Sequence, residues 1–334
     1  MELCYLLAFP DPENGQPPVP EPFHGLKDAP YFQPVDIELH TLGEETFEIN
    51  GRRISIVRQR YDSRVQMIEC RIEARDPLAE SALQRRVQLL QALQERLIPA
   101  QYRAKGLFEE YSILLVRETD AAPDEWIDGH AAEIARFIRS QSERFDQTEI
   151  DEIIGSRVRY SQKDLTLVDW EGAIIISPDG DFQSDIVLFK IGNYQLLRYR
   201  MLNDSVETLL DHINESFFLN RKRPRPTRGA IRRIVEHRLE VMLDFERTDQ
   251  NLLLIGDWYT AKLYAAIRDE FYLEEWKNTI RDKLDNLESI TQTVKENFTL
   301  SVESLWGRIE MAGWAILLIG YIYLFFADVG LFGK

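Results

Sequence analysis

Over the first two hundred residues apolar and polar positions alternate with a period near two, and beyond about residue 203 they recur with a period near 3.6, so a sheet-rich half precedes a helical one. Cys4 to Phe9 reads as a strand, and the proline-rich stretch that follows it, through Pro34, reads as a surface loop because its prolines exclude a central strand. In TFEINGRRISIVRQR the pair Asn50-Gly51 separates two alternating runs, which is the strongest short-range hairpin signal, and VQMIECRIE adds a third strand after the Tyr61-Asp62-Ser63 turn. A helix starts at Asp76-Pro77 and runs to about Ile98 with Leu83, Val87, Leu90, Leu93 and Leu97 on one face, and Ser112 to Val116 reads as a buried strand. A second helix after Pro123 presents Trp126, Ile134, Phe137 and Ile138. Further strands are expected at 158–160, 165–168, 173–176, 186–191 and 194–199, with turns at Ser177-Pro178-Asp179-Gly180 and Gly192-Asn193. Residues 1–202 therefore form one soluble domain with a mixed sheet and flanking helices, of α/β or α+β type.

The downstream half divides into a helical domain over 203–273, a stalk helix over 274–310 and a terminal segment over 311–330, which makes the whole chain α+β. Val206, Leu209, Leu210 and Ile213 mark the first of these helices. On the stalk, Leu284, Leu287, Thr291, Val294, Phe298 and Leu305 recur at alternating spacings of three and four, a heptad-like seam that asks for a partner helix and predicts a homo-oligomer. Met311 to Ala327 carries no charge over about 17 residues, or about 25 Å of helix against a hydrocarbon core of about 30 Å. Trp306 and Arg308 precede it, and Trp314, Tyr321 and Tyr323 are candidates for interfacial aromatic positions. The expectation is a tail-anchored, single-pass membrane protein, with the bilayer as a partner. The first residues contain no basic leader, which places the N-terminal domain on the cytoplasmic side of a bacterial or organelle inner membrane.

Composition narrows the partners. The chain carries 29% charged residues and a net charge of −16, an acidic balance that disfavours wholesale nucleic-acid binding. Cys4 and Cys70 lack metal-ligand spacing and fit buried free thiols in a reducing compartment. The five histidines are scattered, and no phosphate-binding glycine motif or Gly-x-Ser-x-Gly elbow occurs, so neither a catalytic site, a cofactor nor a metal is expected. Asp179, Asp181 and Asp185 offer hard oxygen ligands, but Pro-Asp-Gly-Asp between apolar runs reads as a hairpin turn. Against the acidic background Arg221, Lys222, Arg223, Arg225, Arg228, Arg232 and Arg233 form a basic run without an acidic residue. Intersubunit or internal pairing is its first reading, nucleic acid or nucleotide the second, lipid headgroups the third.

Trp258, Leu263-Tyr264, Trp276, Arg281, Lys283-Leu284 and the stretch from Trp306 to Met311 resemble the "required for meiotic nuclear division" family over about the last 140 residues. That resemblance implies a membrane-attached homo-oligomer that supports another machine and has no catalytic site. The layout is also similar to CorA-type divalent-cation channels, without their Gly-Met-Asn motif; Glu310-Met311-Ala312 stands where it would be sought. The chain is thus expected to be a membrane-anchored scaffold or protein-interaction module, not an enzyme. The alternatives are a CorA-like ion-conducting or ion-sensing assembly, and a membrane-tethered nucleotide or nucleic-acid sensor.

Overall fold

The computed structural model describes residues 1–12, 37–214, 228–250 and 258–328. Most of the proline-rich loop, and Arg221, Lys222, Arg223 and Arg225 of the basic run, lie outside these residues. The chain divides into two compact units that are discontinuous in sequence. One comprises Met1–Asp204 with Leu243–Ile280, the other Ser205–Met242 with Arg281–Lys334.

The first unit is built on a mixed sheet of eight strands. β1 (Glu2–Pro10), β2 (Leu39–Ile49), β3 (Arg52–Tyr61) and β4 (Val65–Glu73) come first. They are followed by β5 (Glu109–Val116), β6 (Arg157–Val158), β7 (Leu165–Val168) and β8 (Gly172–Ile176). Their order is β2-β3-β4-β1-β5-β8-β7-β6. All neighbours are antiparallel except β5 and β8, which run parallel. The expected hairpin is present: Asn50 and Gly51 both have positive φ, 52° and 73°, as a type I′ turn requires.

Helices cover both faces. On one side lie α1 (Glu80–Leu97), α2 (Ala100–Lys105), α3 (Pro123–Gly129), α4 (Ala131–Ile138) and α5 (Gln147–Ile153). Leu89, Leu93, Trp126, Ile134 and Phe137 from this layer join Tyr5, Leu7, Ile56, Ile68 and Leu114 of the sheet in one core. The single helix expected after Pro123 is two, α3 and α4, divided at His130.

The other face is covered by α6 (Gln183–Asn214), and here the expectation of strands at 186–191 and 194–199 is corrected. From Asp185 to Tyr199 every residue of α6 is buried, so no polar face reveals the helical period. Gly192 does not mark a turn. A Cβ there would meet Ile267 Cγ2 at 2.6 Å and the Phe271 ring at 3.2 Å, so its missing side chain lets α6 lie close to α8 (Trp258–Glu270). Tyr111 of β5 stacks on Phe189 of α6, with centroids 5.2 Å apart. Lys190, 2% exposed, reaches Gln59 Oε1 at 2.9 Å and pairs with Glu69 at 2.5 Å, so the buried ammonium is matched. The Ser177-to-Gly180 turn joins β8 to α6 and is not a hairpin. Asp179 accepts from the Ser177 hydroxyl at 2.6 Å and the Asp181 amide at 3.1 Å.

The second unit is helical, formed by the end of α6 with parts of α7 (Arg228–Gln250) and α9 (Leu273–Asp328). Leu209, Ile213 and Leu287 form its core, and Lys283 pairs with Glu207 at 2.6 Å. Stalk and terminal segment are one helix, α9. Among the described residues no helix is long and apolar enough to cross a membrane, which corrects the expected anchor, the single-pass topology and the membrane location. Trp314 and Tyr321, expected at an interface, are 70% and 71% exposed.

Candidate functional site

β8 begins at Gly172 opposite Ser112, three residues after β5 has started at Glu109. Among the described residues Glu109, Glu110 and Tyr111 therefore have a strand partner on one side only, in β1. A cavity of about 630 Å³ occupies the resulting notch. Its volume lies in the usual range of small-molecule sites.

Several separate pieces of chain build the walls. α2 ends at Gly106, whose φ of 62° turns the chain left-handed and sends it back into β5. Arg200 of α6 clamps this return, donating to Gly106 O at 2.5 Å, to Phe108 O at 3.0 Å and to the Glu109 carboxylate. α1 presents Val87, Gln91 and Gln94 from the margin of its buried face. The β7–β8 turn, Asp169 to Gly172, carries Trp170 and Glu171 beside the free edge of β5. That tip is held down: the Tyr111 hydroxyl donates to Asp169 O at 2.7 Å, and Arg139 meets the Asp169 carboxylate at 3.1 Å. Phe271, just past α8, closes the α6 side against Tyr111, with centroids 5.1 Å apart. Gly172 is obligatory, because a Cβ would meet Ser112 O at 2.8 Å.

Three carboxylates share this space. Glu109 is pushed up to about 7 by burial, which outweighs the opposing pull of Arg200. Glu110 accepts from both the Tyr5 hydroxyl and Gln94 Nε2, and both bonds converge on its Oε2. Glu171 is raised by burial, with Arg139 opposing and Asp169 and Glu110 adding to the rise. The cavity thus combines negative charge with aromatic walls. Among the described lining residues Arg200 is the only cation, and its guanidinium is committed to the clamp. No histidine or cysteine lines it.

A second buried acid lies elsewhere. Asp185, in the first turn of α6, accepts from Thr166 Oγ1 at 2.5 Å and from the Tyr259 hydroxyl at 2.9 Å, and ties α6 to β7 and α8. Burial pushes it up to about 6, with Asp164 and Asp181 adding to the rise. Among the described residues no group of three histidine, cysteine or acidic side chains could hold a metal ion.

The sequence-derived site residues fall elsewhere. Leu284 and Leu287 are buried within their own chain. The side chains of Thr291, Val294, Phe298 and Leu305, of Arg228 and Arg233, and of Trp306, Arg308 and Tyr323 lie outside the described set. Arg232 is exposed and pairs with Glu236 one turn along α7, at 2.7 Å. Sequence reasoning missed the cavity altogether. Its faint signals were Glu109-Glu110 at the head of an apolar strand and the polar Asp169-Trp170-Glu171-Gly172 turn between two others.

Residues 26–183 match a family described as "Uncharacterized protein MJ0711, N-terminal domain". The protein of that name from Methanocaldococcus jannaschii is 24% identical over 204 residues, covering 59% of this chain and 61% of the relative, so the chain spans under two thirds of that relative's length. No solved structure matches. These matches correct the resemblance to the meiotic nuclear division family, which rested on the helical half whereas the family match falls on the sheet-bearing half, and they correct the CorA-like layout as well.

Proposed function

We propose that the protein is a non-catalytic interaction protein whose α/β unit takes up a small ligand in the cavity at the start of β5. The cavity carries this reading: about 630 Å³, open on one side, with polar groups converging from β1, α1, β5 and the β7–β8 turn. The lining lacks a nucleophile beside a base, which favours binding over turnover. Its carboxylates also disfavour a nucleotide, since phosphate would face Glu110 and Glu171 with the Arg200 guanidinium already engaged. The test is to fill the space from its rim. Val87 is exposed on α1, and Val87→Trp leaves the core beneath it untouched. In a thermal-shift screen of small organic molecules, compounds that stabilise the wild-type chain are expected to lose their effect on the variant. Equal shifts for both proteins defeat the proposal.

Self-association is a second, separate reading, favoured by α7. Val235, Leu239 and Met242 recur at spacings of four and three on one stripe of that helix and are 44%, 50% and 36% exposed. A second copy of the chain is the simplest cover. Sedimentation of the full chain should show an oligomer that Leu239→Glu dissociates, and a monomer at every concentration excludes it.

A further inference from the structure

The lining of the cavity narrows the class of ligand. Glu110 and Glu171 approach it from different elements, β5 and the β7–β8 turn, and Glu109 lies beside Glu110 on the opposite face of the strand. Glu110 adds to the raised proton affinity of both Glu109 and Glu171. A cation placed between these carboxylates relieves their mutual repulsion. The local cations do not serve. Arg200 is spent on Gly106 O, Phe108 O and Glu109, and Arg139 on Asp169. The Glu110 bonds meet on Oε2, so Oε1 has no protein partner among the described residues.

The rest of the wall is aromatic and apolar. Trp170, 39% exposed, stands in the same turn as Glu171, with Phe108 and Phe271 on other sides of the space. A bare metal ion would gain little from such walls, and no set of donors among the described residues could hold one. An ammonium or guanidinium on an apolar body uses both features, the charge against carboxylates and the body against rings. The size agrees, since about 630 Å³ accommodates an organic molecule of modest mass and far exceeds an inorganic ion.

Building on the ligand-binding reading above, we infer that the cavity at the start of β5 binds an organic cation, an amine or guanidine whose charge lies between Glu110 and Glu171 and whose apolar body rests against Trp170. Long-range attraction supports capture: the chain as a whole carries a net charge of −16.

The experiment uses three probes of one shape on the full chain, with calorimetry and saturation-transfer NMR as readouts. Phenethylamine is the cation, 2-phenylethanol its neutral counterpart and 3-phenylpropionate its anionic one. The expected order is phenethylamine first, with 2-phenylethanol about tenfold or more weaker and 3-phenylpropionate not bound, in line with one lost charge-assisted contact. Glu171→Gln and Glu110→Gln should each weaken phenethylamine about 5- to 20-fold and leave 2-phenylethanol nearly unchanged. Circular dichroism controls for folding, because Glu110 also accepts from Tyr5. Should 2-phenylethanol or the anion bind as well as the amine, the cation is wrong while a ligand cavity survives. Should none bind, and Val87→Trp behave as wild type in the wider thermal screen, the cavity reading itself fails. Binding of phenethylamine that both Gln variants retain in full also overturns the inference, since the charge would then be read elsewhere.

Discussion

Replacing Asp185 by Asn should stabilise the protein, and by an amount that depends on pH. Asp185 is almost fully buried, and burial is the largest cause of its rise from 3.8 to about 6, against the lowering contributed by the Thr166 and Tyr259 hydroxyls. The folded form therefore holds this proton more tightly than the unfolded chain. Below about pH 4 both states carry it and nothing is lost; between about 4 and 6 folding stability falls as pH rises; above 6 the loss is complete and constant. At about 1.4 kcal/mol per pH unit the full loss is about 3 kcal/mol. Asn keeps an acceptor oxygen for Thr166 and Tyr259 and removes the charge, so Asp185→Asn should be more stable by about 1–3 kcal/mol at pH 7.5 and within about 0.5 kcal/mol of wild type at pH 4. Urea unfolding at those two values brackets the isoelectric point near 4.9, where solubility is poorest. Tryptophan fluorescence is a suitable probe, because Trp126, Trp170, Trp258 and Trp276 all belong to the unit that contains Asp185. An increment equal at both pH values, or a loss at pH 7.5, refutes the reasoning.

Gly192→Ala should destabilise the chain by about 1–3 kcal/mol, because the added methyl meets Ile267 Cγ2 at 2.6 Å, and the same change should cost less in an Ile267→Ala background, which lacks that Cγ2, read by urea midpoints. Lys190→Met leaves Glu69 buried with Arg71 alone, and should cost about 3–5 kcal/mol by the same measurement; a neutral effect would mean that the pair does not matter to the fold. Gly51→Ala, at φ 73°, should cost about 1 kcal/mol without altering the circular dichroism spectrum, whereas Asn50→Gly should cost far less.

How far the sequence could be read depended on what surrounded each element. The β2–β3 hairpin was legible because Asn50-Gly51 sits in a turn of two residues with one face exposed, and both the period and the turn chemistry survive in the sequence. α1 was legible for the same reason, with a half-buried pattern. α6 was not. With sheet on one flank and α8 on another it is buried on every side from Asp185 to Tyr199, and its polar residues, Lys190, Asn193, Gln195 and Arg198, are buried too, so no solvent face marks the helical period. Gly192-Asn193 then imitated a turn, although Gly192 serves close packing and Asn193 donates to Phe189 O within the helix, at 2.8 Å. The site was hidden more thoroughly. Tyr5, Gln94, Glu110, Glu171, Arg200 and Phe271 come from six separate segments, and no spacing law connects them. What unites them is a three-residue stagger between β5 and β8, a fact of register that arises only when the sheet assembles.

The α/β unit is finished late in synthesis. Its sheet is complete once Ile176 has emerged, yet Tyr259, Ile267 and Phe271, which meet Asp185, Gly192 and Tyr111, are translated some eighty to one hundred residues afterwards. Until then the nascent domain shows the ribosome tunnel's exit an uncovered flank of α6 and a notch lacking its Phe271 wall. A product released early, before Trp258, would carry that bare flank permanently and would be a natural client for chaperones and proteases.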